Sequence, residues 1–138
     1  MTSEYIPGVC NIGPAETARR RRVGQAGAAA TVGLAALLTI TRAPRLWRLL
    51  LAVPATMSAV GFIQAARHFC AAFGWRGVFN FGGPGKAESV EEAAAREEDR
   101  RTALRIGLES AAVGAIVALL SLWPAGRRRA CSCGCPGC

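Results

Sequence analysis

The chain alternates short charged blocks with long apolar stretches, and three of those stretches have the length of a bilayer-crossing helix. Residues 23–41 carry no charge between the Arg19-Arg20-Arg21-Arg22 block and Arg42. Residues 49–66 are charge-free between Arg48 and Arg67, and residues 106–123 hold one ionisable side chain, Glu109. A helix needs roughly 20 residues, within a range of about 17–25, to cross the hydrocarbon of a bilayer. The third stretch is richest in Leu, Ile and Val; the first is the poorest, with many Ala and Gly. That first stretch would also suit a buried, alanine-rich soluble helix. A soluble bundle, however, needs a polar face on every helix, and these stretches are apolar all round. The expected fold is an all-α membrane protein with three transmembrane helices, the third continuous with a charged extramembrane helix.

Polar patterning divides the rest. Residues 1–22 read as a basic amino-terminal segment, and 23–66 as a transmembrane hairpin with spans 23–41 and 49–66. Pro54 lies inside the second span and should kink it, because it lacks an N–H and clashes one turn back. Residues 67–88 form an aromatic interfacial segment and a Gly/Pro linker, with a helix break expected at Gly74 or Gly77. Residues 89–123 read as a charged stalk helix running into the third span, 106–123. Ser89 and Glu92 have the spacing of a capping box, and Glu92/Arg96 and Glu97/Arg101 are favourable i,i+4 pairs. Residues 124–138 are an Arg/Cys-rich tail.

Small residues bear on how such helices pack. Gly24/Ala28, Ala29/Gly33, Gly107/Ala111 and Gly114/Ala118 follow the small-x-x-x-small spacing that lets backbones approach closely in lipid. Alanine-rich helices also produce such pairs by chance, so the spacing names no partner.

Charge adds orientation. The chain has 17 Lys and Arg against 9 Asp and Glu, a formal net charge of +8. The basic blocks abut apolar stretches, so the implied partner is a lipid bilayer with anionic headgroups rather than nucleic acid, none of whose recognition motifs is present. Three spans place eleven basic residues on the amino-terminal side and six on the other. The positive-inside rule then puts the amino terminus in the cytoplasm and the carboxyl tail outside, with Trp47 and Trp123 at one outer interface. The segment before the first span contains Glu4, Pro7, Pro14 and Glu16, unlike the short basic leader of a signal peptide, so the first span reads as an uncleaved anchor.

Candidate chemistry is sparse. The tail places Cys131, Cys133, Cys135 and Cys138 within eight residues. Soft thiolates suit Zn or Cu(I), and the neighbouring arginines favour the thiolate form. Disulfide formation competes outside the cytoplasm. A second cluster gathers at the inner interface: Cys10, Asn11 and Glu16 before the first span, Arg67, His68 and Cys70 at the end of the second, and Asn80 after it. Cys10, His68 and Cys70 could share a metal, and Glu16 could pair with Arg67. The competing reading is that free cysteines pack as small hydrophobes and a lone His caps a helix. Glu109 is the intramembrane ionisable residue; it can serve ion handling, or snorkel and meet Arg105. No hydrolase, phosphate-loop, zinc-protease or dinucleotide motif occurs. The leading expectation is a non-enzymatic accessory or scaffold subunit that packs against other membrane proteins or itself. The alternatives are a thiol-based metal-binding or redox protein and, third, a transporter component built on Glu109.

Overall fold

A computed structural model describes residues 5–82 and 86–123. Its body is three long helices joined in an antiparallel up-and-down arrangement. Helix α1 spans Pro14–Ile40, a 3-10 helix spans Arg45–Leu51 and continues into α2, Ala52–Arg67, and α4 spans Ala93–Leu122. A short helix α3, Ala71–Arg76, and a two-stranded antiparallel pair, β1 (Val78–Phe79) and β2 (Glu88–Ser89), lie between α2 and α4. The three long helices are long and apolar enough to cross a membrane.

Helix α1 begins at Pro14, not at Val23. Gly13 is its cap and Pro14 occupies the first turn, where a missing N–H costs nothing. The arginine block therefore sits inside the helix and radiates around it. The helix ends where Arg42 turns left-handed (φ 51°) and the Ala43 amide donates to the Leu38 carbonyl at 3.1 Å, just ahead of Pro44. Helix α2 closes in the same way: His68 is left-handed (φ 51°), the Phe69 amide donates to Gln64 O at 3.1 Å, and the Phe69 ring is wholly buried.

Three expectations are corrected. Pro54 does not kink a long α-helix; it falls in the first turn of α2, directly after the 3-10 segment, where its missing donor is harmless. Ser89 does not cap the last helix. It pairs with Val78 across the β ladder, and the Val90 amide donates to Gly77 O at 2.8 Å, which holds the chain extended until Glu92. Helix α4 therefore starts at Ala93, with Glu92 as its cap residue, and the Glu92/Arg96 pair is not formed, whereas Arg101–Glu97 is, at 3.2 Å. The break between α2 and α4 comes at His68 and at left-handed Gly77 (φ 67°), while Gly74 lies within α3 under the Phe69 ring.

Helix α2 is central and packs against both α1 and α4. At the α1–α2 crossing, a Cβ on Gly27 would come within 2.6 Å of the Ser58 amide nitrogen and 2.8 Å of its Cα. Ser58 also donates its hydroxyl to Gly24 O across the same interface at 2.9 Å. The α2–α4 crossing uses Gly114 against Thr56 and the Ala52 carbonyl. A buried apolar cluster sits at the strapped end of the bundle, where Phe69, Ala103 and Ile106 pack with Ile63 and Ala71. Elsewhere the apolar surface faces outward: only 17%, 33% and 28% of the most apolar stretch of each long helix is buried within the molecule.

Candidate functional site: a strapped cavity at one end of the bundle

Residues 5–13 form a strap across the end of the bundle that carries the α2–α3 turn. Its centre is Asn11, wholly buried, whose side-chain amide pairs with the backbone of Cys70: Oδ1 accepts from the Cys70 amide at 2.7 Å and Nδ2 donates to its carbonyl at 3.1 Å. The Asn11 and Ile12 amides donate to His68 O, at 3.2 and 3.3 Å. On the other side the Asn80 amide donates to Asn11 O at 2.9 Å, and the Gly13 amide to Asn80 O at 2.8 Å. The strap thus lies as an extra strand between the α2–α3 turn and Asn80, with the amides from Gly8 to Gly13 all hydrogen-bonded.

Its outer end is tied to α4 by Asp99. This carboxylate is fully buried and accepts from the Tyr5 hydroxyl at 2.9 Å and the Gly8 amide at 2.7 Å, while Thr102 donates to Gly8 O at 2.9 Å. Two donors, one of them a backbone N–H, compensate the burial of the charge. The Tyr5 ring stacks on Phe79 at 4.8 Å between centroids, and Phe79 meets Phe81 at 6.0 Å. Burial, then the hydrogen bond to Asp99 and the acidic neighbours, holds the Tyr5 phenol well above its ordinary value of 10.0, so it stays protonated.

Where the strap enters α1 it leaves a cavity of about 530 Å³. Its walls are apolar at Ile12, Pro14 and Ala18 and polar at Thr17, Arg21 and His68, with Cys10 at one side. Thr17 donates its hydroxyl to Gly13 O at 3.0 Å and lies 3.4 Å from His68 Nδ1. With the Thr17 hydroxyl proton on Gly13 O, the shorter of its two contacts, Nδ1 is the donor to Thr17 Oγ1 and Nε2 has no partner among the described residues. Arg21 has no carboxylate partner among the described residues; Arg19 pairs with Glu16 at 3.5 Å, and the Arg20 guanidinium sits 6.0 Å over the Phe73 ring.

The structure brings together only part of the cluster expected from sequence. Cys10 and His68 share the cavity, but Cys70 is buried and its backbone is held by Asn11. No group of three metal-ligating side chains occurs among the described residues. Glu16 does not meet Arg67: it lies buried on α1 beside Arg19, and one of its oxygens, Oε2, has no hydrogen-bond partner. Arg67 instead pairs with Glu109, at 2.8 Å, which replaces the expected contact of Glu109 with Arg105. Cys131, Cys133, Cys135 and Cys138 lie outside the described residues.

Tyr5, Thr17, Arg21 and Asp99 were not among the expected site residues. Asp99 was nonetheless findable, because it lies on a stripe of Ala95, Asp99, Ala103, Ile106 and Ser110 that is buried at helical spacing. A lone acid on the small, apolar face of an otherwise charged helix demands a partner. Thr17 and Arg21 share one face of α1, a turn apart, a relation hidden by reading residues 1–22 as a basic segment separate from the first span.

The fold and site define a small helical protein with three helices of membrane-crossing length and a polar, strap-closed end. Compared with protein-family models, curated proteins and solved structures, the chain gives no match.

Proposed function

We propose that the protein is integral to a membrane, its amino terminus cytoplasmic, and acts as a non-enzymatic accessory or scaffold subunit that packs against other membrane proteins. The supporting observation is a pair of unused close-approach positions on the outward surface. Within the bundle, Gly24, Gly27 and Gly114 serve to bring backbones together. Ala29/Gly33 on α1 and Gly107/Ala111 on α4 have the same spacing but are exposed, and a Cβ added at Gly33 or Gly107 would meet nothing within 4 Å. Lipid tails are as apolar as Leu, so helices in a bilayer associate through close packing of this kind. Large exposed side chains beside them, such as Val32, Leu108 and Ile116, suit contact with lipid or another helix.

The test places a photoreactive residue at Gly33 or Gly107 in native membranes, followed by extraction in mild detergent. A discrete crosslinked species of defined mass from either position supports the reading. Recovery of only the free monomer from both positions overturns it, as does release of the protein by alkaline carbonate.

A further inference from the structure

The cavity between the strap and α1 has a chemistry that packing against other helices does not use. It is apolar over most of its wall, and its polar groups converge on one side: the Arg21 guanidinium without a carboxylate partner, and His68 with Nε2 unengaged. No acidic residue lines it among the described residues. Arg21 stands two residues before the charge-free stretch that starts at Val23, so the cavity opens at the level where the apolar part of α1 begins.

We propose that this cavity binds one anionic phospholipid whose headgroup carries a free hydroxyl, as phosphatidylglycerol does. The donor and acceptor inventory selects that chemistry. Arg21 offers its guanidinium fork to the phosphate, the geometry in which arginine surpasses lysine. In the tautomer that the shorter Thr17–Gly13 contact favours, His68 Nε2 carries the lone pair and accepts from a headgroup hydroxyl. Ile12, Pro14 and Ala18 cover the glycerol and the first acyl carbons. A free phosphate ion would leave that apolar wall uncovered. The left-handed conformation of His68 holds the imidazole beside Thr17, and its carbonyl is bound by the Asn11 and Ile12 amides, so the acceptor is set by the strap before any lipid arrives.

This inference rests on the membrane reading above, and the experiment separates the two. Full-length protein with the four tail cysteines changed to Ser is purified in a mild non-ionic detergent. Cys10, on the cavity wall, is alkylated with N-ethylmaleimide while Cys70 stays buried. Short-chain phosphatidylglycerol is expected to slow alkylation of Cys10, and native mass spectrometry to count one retained lipid. Arg21→Gln should weaken both effects roughly tenfold or more, the loss expected for one charge-assisted contact, whereas Arg22→Gln, with the same charge change outside the cavity, should leave them within about twofold. His68→Gly keeps the left-handed backbone but removes the acceptor, and should erase the preference for phosphatidylglycerol over phosphatidic acid. Equal weakening by Arg22→Gln overturns the proposal in favour of general surface charge. Equal protection by millimolar inorganic phosphate overturns it in favour of a simple anion site. Carbonate release of a protein whose Cys10 is still protected would sink the membrane reading alone; firm membrane retention without protection would sink the lipid site alone.

Discussion

The two halves of the bundle hold together by different means. Around Gly27 and Gly114 the helices meet backbone to backbone, with Ser58 donating to Gly24 O, and further along Arg48 donates to Ser121 O at 2.9 Å. At the strapped end, Asn11, Asp99, Tyr5 and Asn80 tie the strap to its neighbours through hydrogen bonds. On the membrane reading proposed above, the contrast follows from the surroundings of each half. Hydrocarbon supplies no hydrophobic drive for helices to associate, so the middle depends on fit. Near water, the end can bury polar groups as long as each finds a partner. Fit fails when volume is added, and a network fails when a partner is removed.

The largest effects should therefore come from adding side chains in the middle. Gly27→Leu and Gly61→Leu would drive a Cβ into the backbones of Ser58 and of Gly24 and Arg20, which cannot yield without separating the helices. Each is expected to destabilise by about 3 kcal/mol or more. Gly33→Leu and Gly107→Leu face open space and should change stability by less than about 0.5 kcal/mol. Reversible unfolding in mixed micelles, with SDS as denaturant, checks the difference. Comparable losses at Gly33 would mean the outer face of α1 is packed within the fold itself, and the comparison would break.

Removing a partner at the strapped end comes next. Asp99→Leu leaves the Tyr5 hydroxyl and the Gly8 amide without their acceptor, with an expected cost of about 2–3 kcal/mol. Asp99→Asn keeps one carbonyl oxygen and should cost about half as much. The damage should be local: amide exchange at Gly8 and proteolysis within the strap accelerate while the α1–α2 packing survives. Global unfolding of Asp99→Leu would show that the bundle depends on its cap.

The middle was more legible in the sequence than the end, for a physical reason. An apolar helix is announced by composition alone, so the three long helices and the continuity of the charged stalk with the last apolar stretch could be read from charge spacing. The boundaries could not. Four consecutive arginines look like a terminus of the apolar element, yet nothing in them breaks a helix, and Pro14 is a good first-turn residue; α1 therefore runs back to the strap. Ser89 and Glu92 have the capping spacing, but β1 recruits Ser89 first, a tertiary pairing that no local pattern reveals. The strap is the hardest part, because Asn11–Cys70 and Tyr5–Asp99 join residues 59 and 94 positions apart. Cys10 and His68 were expected near one another on topological grounds and do share a cavity, whereas the pairing of Glu16 with Arg67 failed because Arg67 finds Glu109 instead.

Alkaline titration sharpens the contrast further, because the strapped end contains a titrating partner and the middle contains none. The Tyr5 phenol is held above its ordinary value of 10.0, so the folded state prefers the protonated form. The stability it contributes is complete below pH 10.0 and is lost as pH rises toward the folded-state value. Strap opening, read by amide exchange or by Tyr5 absorbance, is expected to begin above about pH 10. Tyr5→Phe should abolish that component and cost about 1 kcal/mol at neutral pH. An unchanged alkaline profile in Tyr5→Phe would assign the opening to another group.

A smaller effect than removing Asp99 is expected at the ion pair that links α2 to α4 among the described residues, Arg67–Glu109. Its charges match those of a buried pair in distance, 2.8 Å, but the two side chains remain 40% and 39% exposed. Exposed pairs contribute about 0–1 kcal/mol, so Glu109→Gln should lower stability by less than about 1 kcal/mol in micelles, well below Asp99→Leu. The same substitution in a bilayer then reports depth. If the pair lies among headgroups, the value stays below about 1 kcal/mol and falls with added salt. If it lies within hydrocarbon, neutralising one partner strands Arg67, and the cost rises to about 3 kcal/mol without salt dependence. That outcome would move the polar end of the bundle below the membrane surface, and the division between a fitted middle and a hydrogen-bonded end would no longer follow the boundary between lipid and water.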